Sequence, residues 1–400
     1  MKDSGTAVYQ AKYNIENLFF IFSILSLVSI MFSPLISFFL SISTLLIFSK
    51  VSNRYINILL TILAVLSLMF IFASRLYIDD LEHDLSLYYS IYQQFTHGDY
   101  SNFFRFGTGI EIGWTSLYFL VSFLLPSITA IQLSLIHALF CCTILLVFIY
   151  VYIYSVVPEK DQGLVSALII LFLSFTTLGY LQRQAVSTLF LMFMIVSKDQ
   201  KKLFLFYILA IFFHSTALPF GAIYLFLRNR YFNQIKILIL ILLLLLVRLF
   251  FYQLAEFMIS SIDFAFLTHK LHYFLIVEPS ISSRRFLILL FPLLILSLFF
   301  KDESCLVCYW RSIILFSCVS YLALLIIPLL SERLNFILLY LYGFFIYLYI
   351  RKYKTVGYFF IFLYLIFFVA EKTGLVVDEN LFWQRFDLFS FEPFYYLWSL

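Results

Sequence analysis

Two short polar clusters, Arg183-Gln184 and Phe213-His214-Ser215-Thr216, interrupt otherwise apolar runs of the chain. A charged or ionisable side chain inside or at the rim of a bilayer is costly, and by default it marks a binding or catalytic site. Arginine brings a planar fork of donors that matches phosphate oxygens. Neutral histidine brings a proton acceptor. Two carboxylates, Asp84 and Glu111, lie in the acidic segment 75–112 together with Tyr77, Tyr88, Tyr89, Tyr92 and Tyr100. Carboxylates accept hydrogen bonds from sugar hydroxyls, and tyrosine rings pack on sugar faces. Asp84 and Tyr88 stand one helical turn apart, on one face of any helix through them. Proton transfer therefore falls to Asp84, His214 or Glu111. Arg183, Arg333 and Arg284 (with Arg285) suit a diphosphate, while Tyr88, Gln184 and Ser215 suit sugar binding or positioning. The same residues also admit structural roles. Arg284 and Arg285 can snorkel to headgroups, the tyrosines can form an interfacial belt, and His214 can be a hydrogen-bonded histidine at a helix tip.

The elements that must hold these groups are membrane helices. Of 400 residues, 64% are hydrophobic and only 12% charged, where soluble domains run nearer half apolar and a quarter charged. The apolar residues come in runs approaching the ~20 needed to cross a bilayer. A β-barrel would alternate polar and apolar residues, which Leu238–Val247 does not. The expected fold is an all-α, polytopic integral membrane protein. About 10–12 transmembrane helices are expected, with re-entrant or short helices besides, in a single membrane-embedded domain over 1–400. Met1–Asn17 reads as a cytoplasmic lead-in rather than a signal peptide. Cys305-Leu306-Val307-Cys308 lacks a second pair and a nearby histidine, so it reads as free thiols, with no metal site and no cofactor.

Lys and Arg in short loops set the expected orientation. Lys50 and Arg54, Lys198 to Lys202, Arg228 to Lys236, Lys301 with Arg311, and Arg351 to Lys354 belong on the cytoplasmic side. Leu203–Leu227 lies between two of these basic loops. It is expected to be a hairpin with His214-Ser215-Thr216 at its outer tip. Segments 75–112 and 253–285 are expected to be external loops, with Arg333 external and 371–400 a C-terminal tail. Parity then requires one short span, Gly113–Leu125, to stop short of a full crossing.

In order and spacing, Asp84-Leu85-Ser86-Leu87-Tyr88, Glu111-Ile112-Gly113, Arg183-Gln184-Ala185, Phe213 to Leu218 and Glu332 to Phe336 resemble the EpsG/Wzy group. These are bacterial inner-membrane polysaccharide and O-antigen polymerases. The resemblance runs from about Arg75 to Ile350. It departs from the group at Glu82-His83, where Gly-Thr is usual, and at Ile112, where proline is common. It implies a glycosyltransferase that moves a growing glycan from undecaprenyl diphosphate to the non-reducing end of an incoming lipid-linked unit, at the periplasmic face. The implied partners are the undecaprenyl-diphosphate-linked oligosaccharide, the lipid bilayer and a chain-length regulator, with no nucleic acid. A flippase or transporter of lipid-linked oligosaccharide, or an O-antigen ligase, would also want basic external residues. Internal repeats and a midplane site, usual in such transporters, are not visible in the sequence.

Overall fold

A computed structural model of the protein describes residues 3–48, 53–73, 84–173, 182–228, 234–261, 282–299, 305–325, 327, 330–351, 355, 358–359, 362 and 387–398. Every regular element among them is helical. Four helices, Arg54–Ala73, Ala130–Val156, Gln234–Gln253 and Leu306–Ala323, are long and apolar enough to cross a membrane. Others are shorter, and Ile112–Leu124 has 13 residues. At 1.5 Å per residue that is about 20 Å, too short for a ~30 Å hydrocarbon core. A short span of this kind is what the distribution of basic loops asks for. The chain is an all-α polytopic membrane protein.

The helices group into two compact units. The first takes in Met1–Gly98, Val121–Gln182 and Leu341–Leu400. Its helices Asp3–Ser29, Pro34–Ile47 and Arg54–Ala73 pack in succession. Ser33 caps the second of them, its Oγ accepting from the Ile36 N–H at 3.2 Å, with Pro34 pre-setting the first turn. The same hydroxyl donates to the Leu388 carbonyl at 2.5 Å. Tyr396 donates to Ile30 O at 2.6 Å, and Phe394 N–H to Met31 O at 2.7 Å. The end of the expected C-terminal tail is thus docked onto the turn between the first two helices.

Gln162–Leu171 is buried along its whole length and packs against Tyr342–Ile350. Gly343 lets the two backbones touch: a Cβ there would overlap the Leu168 carbonyl, with Ile169 N only 2.5 Å away. Both obstacles are main chain and cannot rotate aside. Gly343→Ala should therefore push the helices apart and cost about 1–3 kcal/mol or more. Thermal melting of the purified variant is the check, and an unchanged midpoint would mean the crossing can loosen freely.

The second unit takes in Asp99–Leu120 and Arg183–Tyr340. It contains Gln182–Val196 (from Arg183 on), Gln200–Phe213, Ala217–Leu227, Gln234–Ser261, Ser282–Phe299 and Cys305–Ala323, followed by the short helices Leu330–Leu334 and Phe336–Tyr340. Leu238, Ile239, Leu242, Leu243 and Leu246 of the Gln234–Ser261 helix are exposed, as a face turned to lipid would be. Segment 75–112, expected as an external loop, carries structure of its own, the helix Asp84–Thr96 and a 3-10 turn over Phe106–Gly109. The Asp84–Thr96 helix belongs to the first unit. It buries Leu85, Tyr88, Ile91, Tyr92 and Phe95.

Candidate functional site

Gln200–Phe213 and Ala217–Leu227 form the hairpin that the bracketing basic residues called for, with His214-Ser215-Thr216 as its tip. Extended backbone at His214 (φ −158°, ψ 123°) ends the first helix. The second restarts at once, with Ala217 N–H donating to His214 O at 3.0 Å and Leu218 N–H to Ser215 O at 3.1 Å. Pro219 falls in the first turn of that helix, where a missing N–H costs nothing. The two arms close because Gly221 lies under the Tyr207 ring, whose hydroxyl donates to Leu218 O at 2.5 Å. Ser187 donates to Ala210 O at 2.9 Å and ties the hairpin to Gln182–Val196. That fixes Arg183-Gln184 beside the tip.

Glu111 joins the two clusters. It immediately precedes the helix Ile112–Leu124, whose first turn is pressed against the hairpin. Gly113 leaves room for the Phe213 ring, which would stand 2.9 Å from an added Cβ, and Trp114 meets the same ring edge-on at 5.5 Å. The Glu111 carboxylate, 1% exposed, accepts four hydrogen bonds. Oε2 receives Arg183 Nη1 at 2.9 Å. Oε1 receives Ser215 N–H at 3.0 Å and Ser215 Oγ at 2.7 Å, and it lies 2.8 Å from His214 Nδ1. A carboxylate is compatible with burial only when charge partners and donors surround it like this.

The loop before Glu111 shapes the other side. Phe106 places its ring under the Arg183 guanidinium, 4.6 Å from its centroid. Gly107 (φ +55°) and Gly109 (φ +94°) turn the chain in a region that suits glycine. Glu111 then folds back over Gly107 so closely that a Cβ there would sit 2.5 Å from Glu111 Cγ. Gln184 completes the cluster, its buried Oε1 accepting from Thr216 Oγ1 at 3.2 Å.

The network fixes the histidine's chemistry. An ionised carboxylate only accepts, so the proton between it and the ring belongs to Nδ1. In the neutral imidazole Nε2 then carries the lone pair, the arrangement by which a carboxylate orients a histidine base. The carboxylate itself accepts from four donors. Arg183 uses Nη1 of its five donors on Glu111, and a quarter of its side chain is exposed.

The sequence-predicted residues divide accordingly. Glu111, Arg183, His214 and Ser215 form one contact network, with Gln184 bonded to the next residue of the tip. Ser215, expected to meet a sugar, spends both its N–H and its hydroxyl on Glu111. Arg333 lies in the same unit, half-buried in the helix Leu330–Leu334. Tyr224 of the hairpin donates to Leu334 O beside it. Arg284 opens the helix Ser282–Phe299, and its side chain lies outside the described residues, as does that of Asp84 at the start of its helix. Tyr88 and Asp84 belong to the first unit. There Tyr88 is buried, edge-on to His137 at 5.8 Å. Phe106 and Gly107 were not singled out by the sequence reading; Phe106-Gly107-Thr108-Gly109 just ahead of Glu111 was their signal.

The model of the EpsG family matches residues 58–386, most of the chain and every element of this site. No curated protein and no solved structure matches the chain.

Proposed function

The chain belongs to the EpsG family, and on that premise we propose that it polymerises lipid-linked oligosaccharide units. The growing glycan on undecaprenyl diphosphate passes to the non-reducing end of an incoming unit, at the periplasmic face of the bacterial inner membrane. The observation that carries the reading is the His214–Glu111–Arg183 network, which puts a proton acceptor and a cation on one buried carboxylate.

In the reaction, an acceptor sugar hydroxyl attacks the anomeric carbon of the donor glycan. Its proton passes to His214 Nε2 as the new C–O bond forms and the bond to the lipid diphosphate breaks. The departing diphosphate keeps the electron pair, and its charge falls to Arg183 and Arg333. Glu111 holds the imidazole with Nδ1–H facing the carboxylate and offsets the charge the ring acquires. Ser215, through its N–H and hydroxyl, holds Glu111. Asp84 and Tyr88 belong to the other unit, and Tyr88 is buried there, so neither has a part in this scheme. Arg284 remains a candidate third cation, and a chain-length regulator a candidate partner.

Purified protein in liposomes, given lipid-linked repeat units, tests this. Products should lengthen by whole repeats, with one lipid diphosphate released per bond formed. If lipid-linked units only cross the bilayer unchanged, the chain is a transporter. If the glycan passes only to an added lipid A acceptor, it is a ligase. The proposed side is tested by labelling single cysteines at 202, 214 and 228 in a background without native cysteines. Positions 202 and 228 should react from the cytoplasm and 214 from outside, and any other pattern moves the reaction to a different face.

A further inference from the structure

Arg248 stands alone in a continuous apolar run, with Ile237–Val247 before it and Leu249–Tyr252 after it. It lies within the stretch Gln234–Gln253 that is long and apolar enough to cross a membrane. Twelve residues separate it from Lys236, about 18 Å of helix. With Lys236 at one headgroup layer, Arg248 lies beyond the middle of a ~30 Å core. A guanidinium at that depth needs a partner of opposite charge or many acceptors. Among the described residues it has one hydrogen-bond partner, the Ala323 carbonyl at 3.3 Å, and no carboxylate within ion-pair distance. A snorkelling arginine would run along its own helix toward water. This one reaches sideways to the last residue of the neighbouring helix, Cys305–Ala323.

We infer that Arg248, beside the end of the Cys305–Ala323 helix, binds the phosphoryl group of a lipid. The fork geometry matches phosphate oxygens, and one carbonyl leaves most of its donors to an anion. The side chain is only partly buried, beside a helix face of exposed leucines, and the far headgroup layer lies ~12 Å further along the helix, the side from which a lipid phosphoryl group would be drawn in. The site lies in the same unit as Arg183 and Arg333. Whether its occupant is the glycan-carrying diphosphate rests on the polymerase reading, whereas phosphate recognition does not.

The test measures lipid retention, not polymer formation. Full-length protein in phosphatidylcholine is titrated with undecaprenyl diphosphate and, separately, with phosphatidylglycerol, and bound lipid is read by native mass spectrometry. Arg248→Gln can still donate to Ala323 O but carries no charge; Arg248→Lys keeps the charge and loses the fork. The glutamine variant should bind the diphosphate about 10-fold more weakly or worse, with lysine in between and thermal midpoints unchanged. Weakening confined to the diphosphate identifies the donor lipid. Equal weakening of both lipids leaves the site standing for anionic headgroups in general, and the polymerase assignment then rests on the extension assay alone. Wild-type retention of both lipids by Arg248→Gln overturns the site and leaves Arg248 a cap on the neighbouring helix.

Discussion

Glu111→Gln and His214→Ala each lower the rate of glycan extension by about 10²–10⁴-fold, the usual worth of a positioned proton acceptor. The amide keeps the shape of the carboxylate but not its charge. It leaves Arg183 without an ionic partner and offers His214 Nδ1 and Ser215 a weaker acceptor. The alanine removes Nε2 altogether. Both substitutions act on one proton transfer, so the double variant should be no slower than the slower single, because groups that work as a unit are not additive. Ser215→Ala deletes one charge-assisted bond of the four, while the Ser215 N–H bond stays, and should cost about 10-fold or more, in line with about 1.5–3 kcal/mol. Single-turnover extension in liposomes by well-folded protein is the measurement. Near-wild-type rates for Glu111→Gln would remove the His214–Glu111 pair from the chemistry.

Gly107→Ala comes close to the same loss without touching a polar group. At φ +55° a side chain is already strained, at about 1–2 kcal/mol. The larger effect is local. The new methyl would stand 2.5 Å from Glu111 Cγ, 2.8 Å from Cδ and 3.0 Å from Oε1. The carboxylate has to swing away, taking with it the acceptor that holds His214, Ser215 and Arg183. Gly98 supplies the control. It too has positive φ, at +78°, yet nothing lies within 4 Å of its would-be Cβ, so Gly98→Ala carries only the backbone strain. Extension should fall at least 100-fold for Gly107→Ala and stay within a few-fold of wild type for Gly98→Ala. Equal behaviour of the two variants would show that Glu111 tolerates displacement.

Much of this was legible in the chain. Apolar runs marked the chain as helical and membrane-embedded, because a membrane helix is written in composition. Lys201-Lys202 and Arg228 bracketed a stretch too short for two full crossings, and a hairpin with His214 at its tip followed. The residues of the site were legible too, since charge in lipid is rare. Their pairing was not. Glu111 reaches Arg183 across 72 residues of sequence and Ser215 across 104, and no local period encodes such a contact. Ser215 looked like a sugar ligand because its type says only that it can hydrogen-bond; its partner is set by Gly113 admitting the Phe213 ring. Tyr88 shows the converse. A tyrosine in an acidic stretch suggested a ring face open to sugar, but the apolar stripe Leu85, Tyr88, Ile91, Tyr92 and Phe95 of that helix turns it inward.

The hairpin's own dimensions set a condition on the chemistry. Its second arm has 11 residues and its first 14, the latter opening with Gln200-Lys201-Lys202. Each arm therefore carries its tip about 16–21 Å from its base. Phe204, Leu205, Leu218 and Phe226 on those arms are exposed, as lipid contact requires. A tip raised that far from one headgroup layer falls short of the other by about 10 Å or more. Glycosyl transfer there would run in a depression below the membrane surface, which a hydrophilic acceptor must enter and bulk water reaches poorly. Water is the standing competitor of any sugar hydroxyl for an activated glycan. A short hairpin is thus a kinetic filter: with acceptor absent, the donor should sit intact on the protein instead of being hydrolysed.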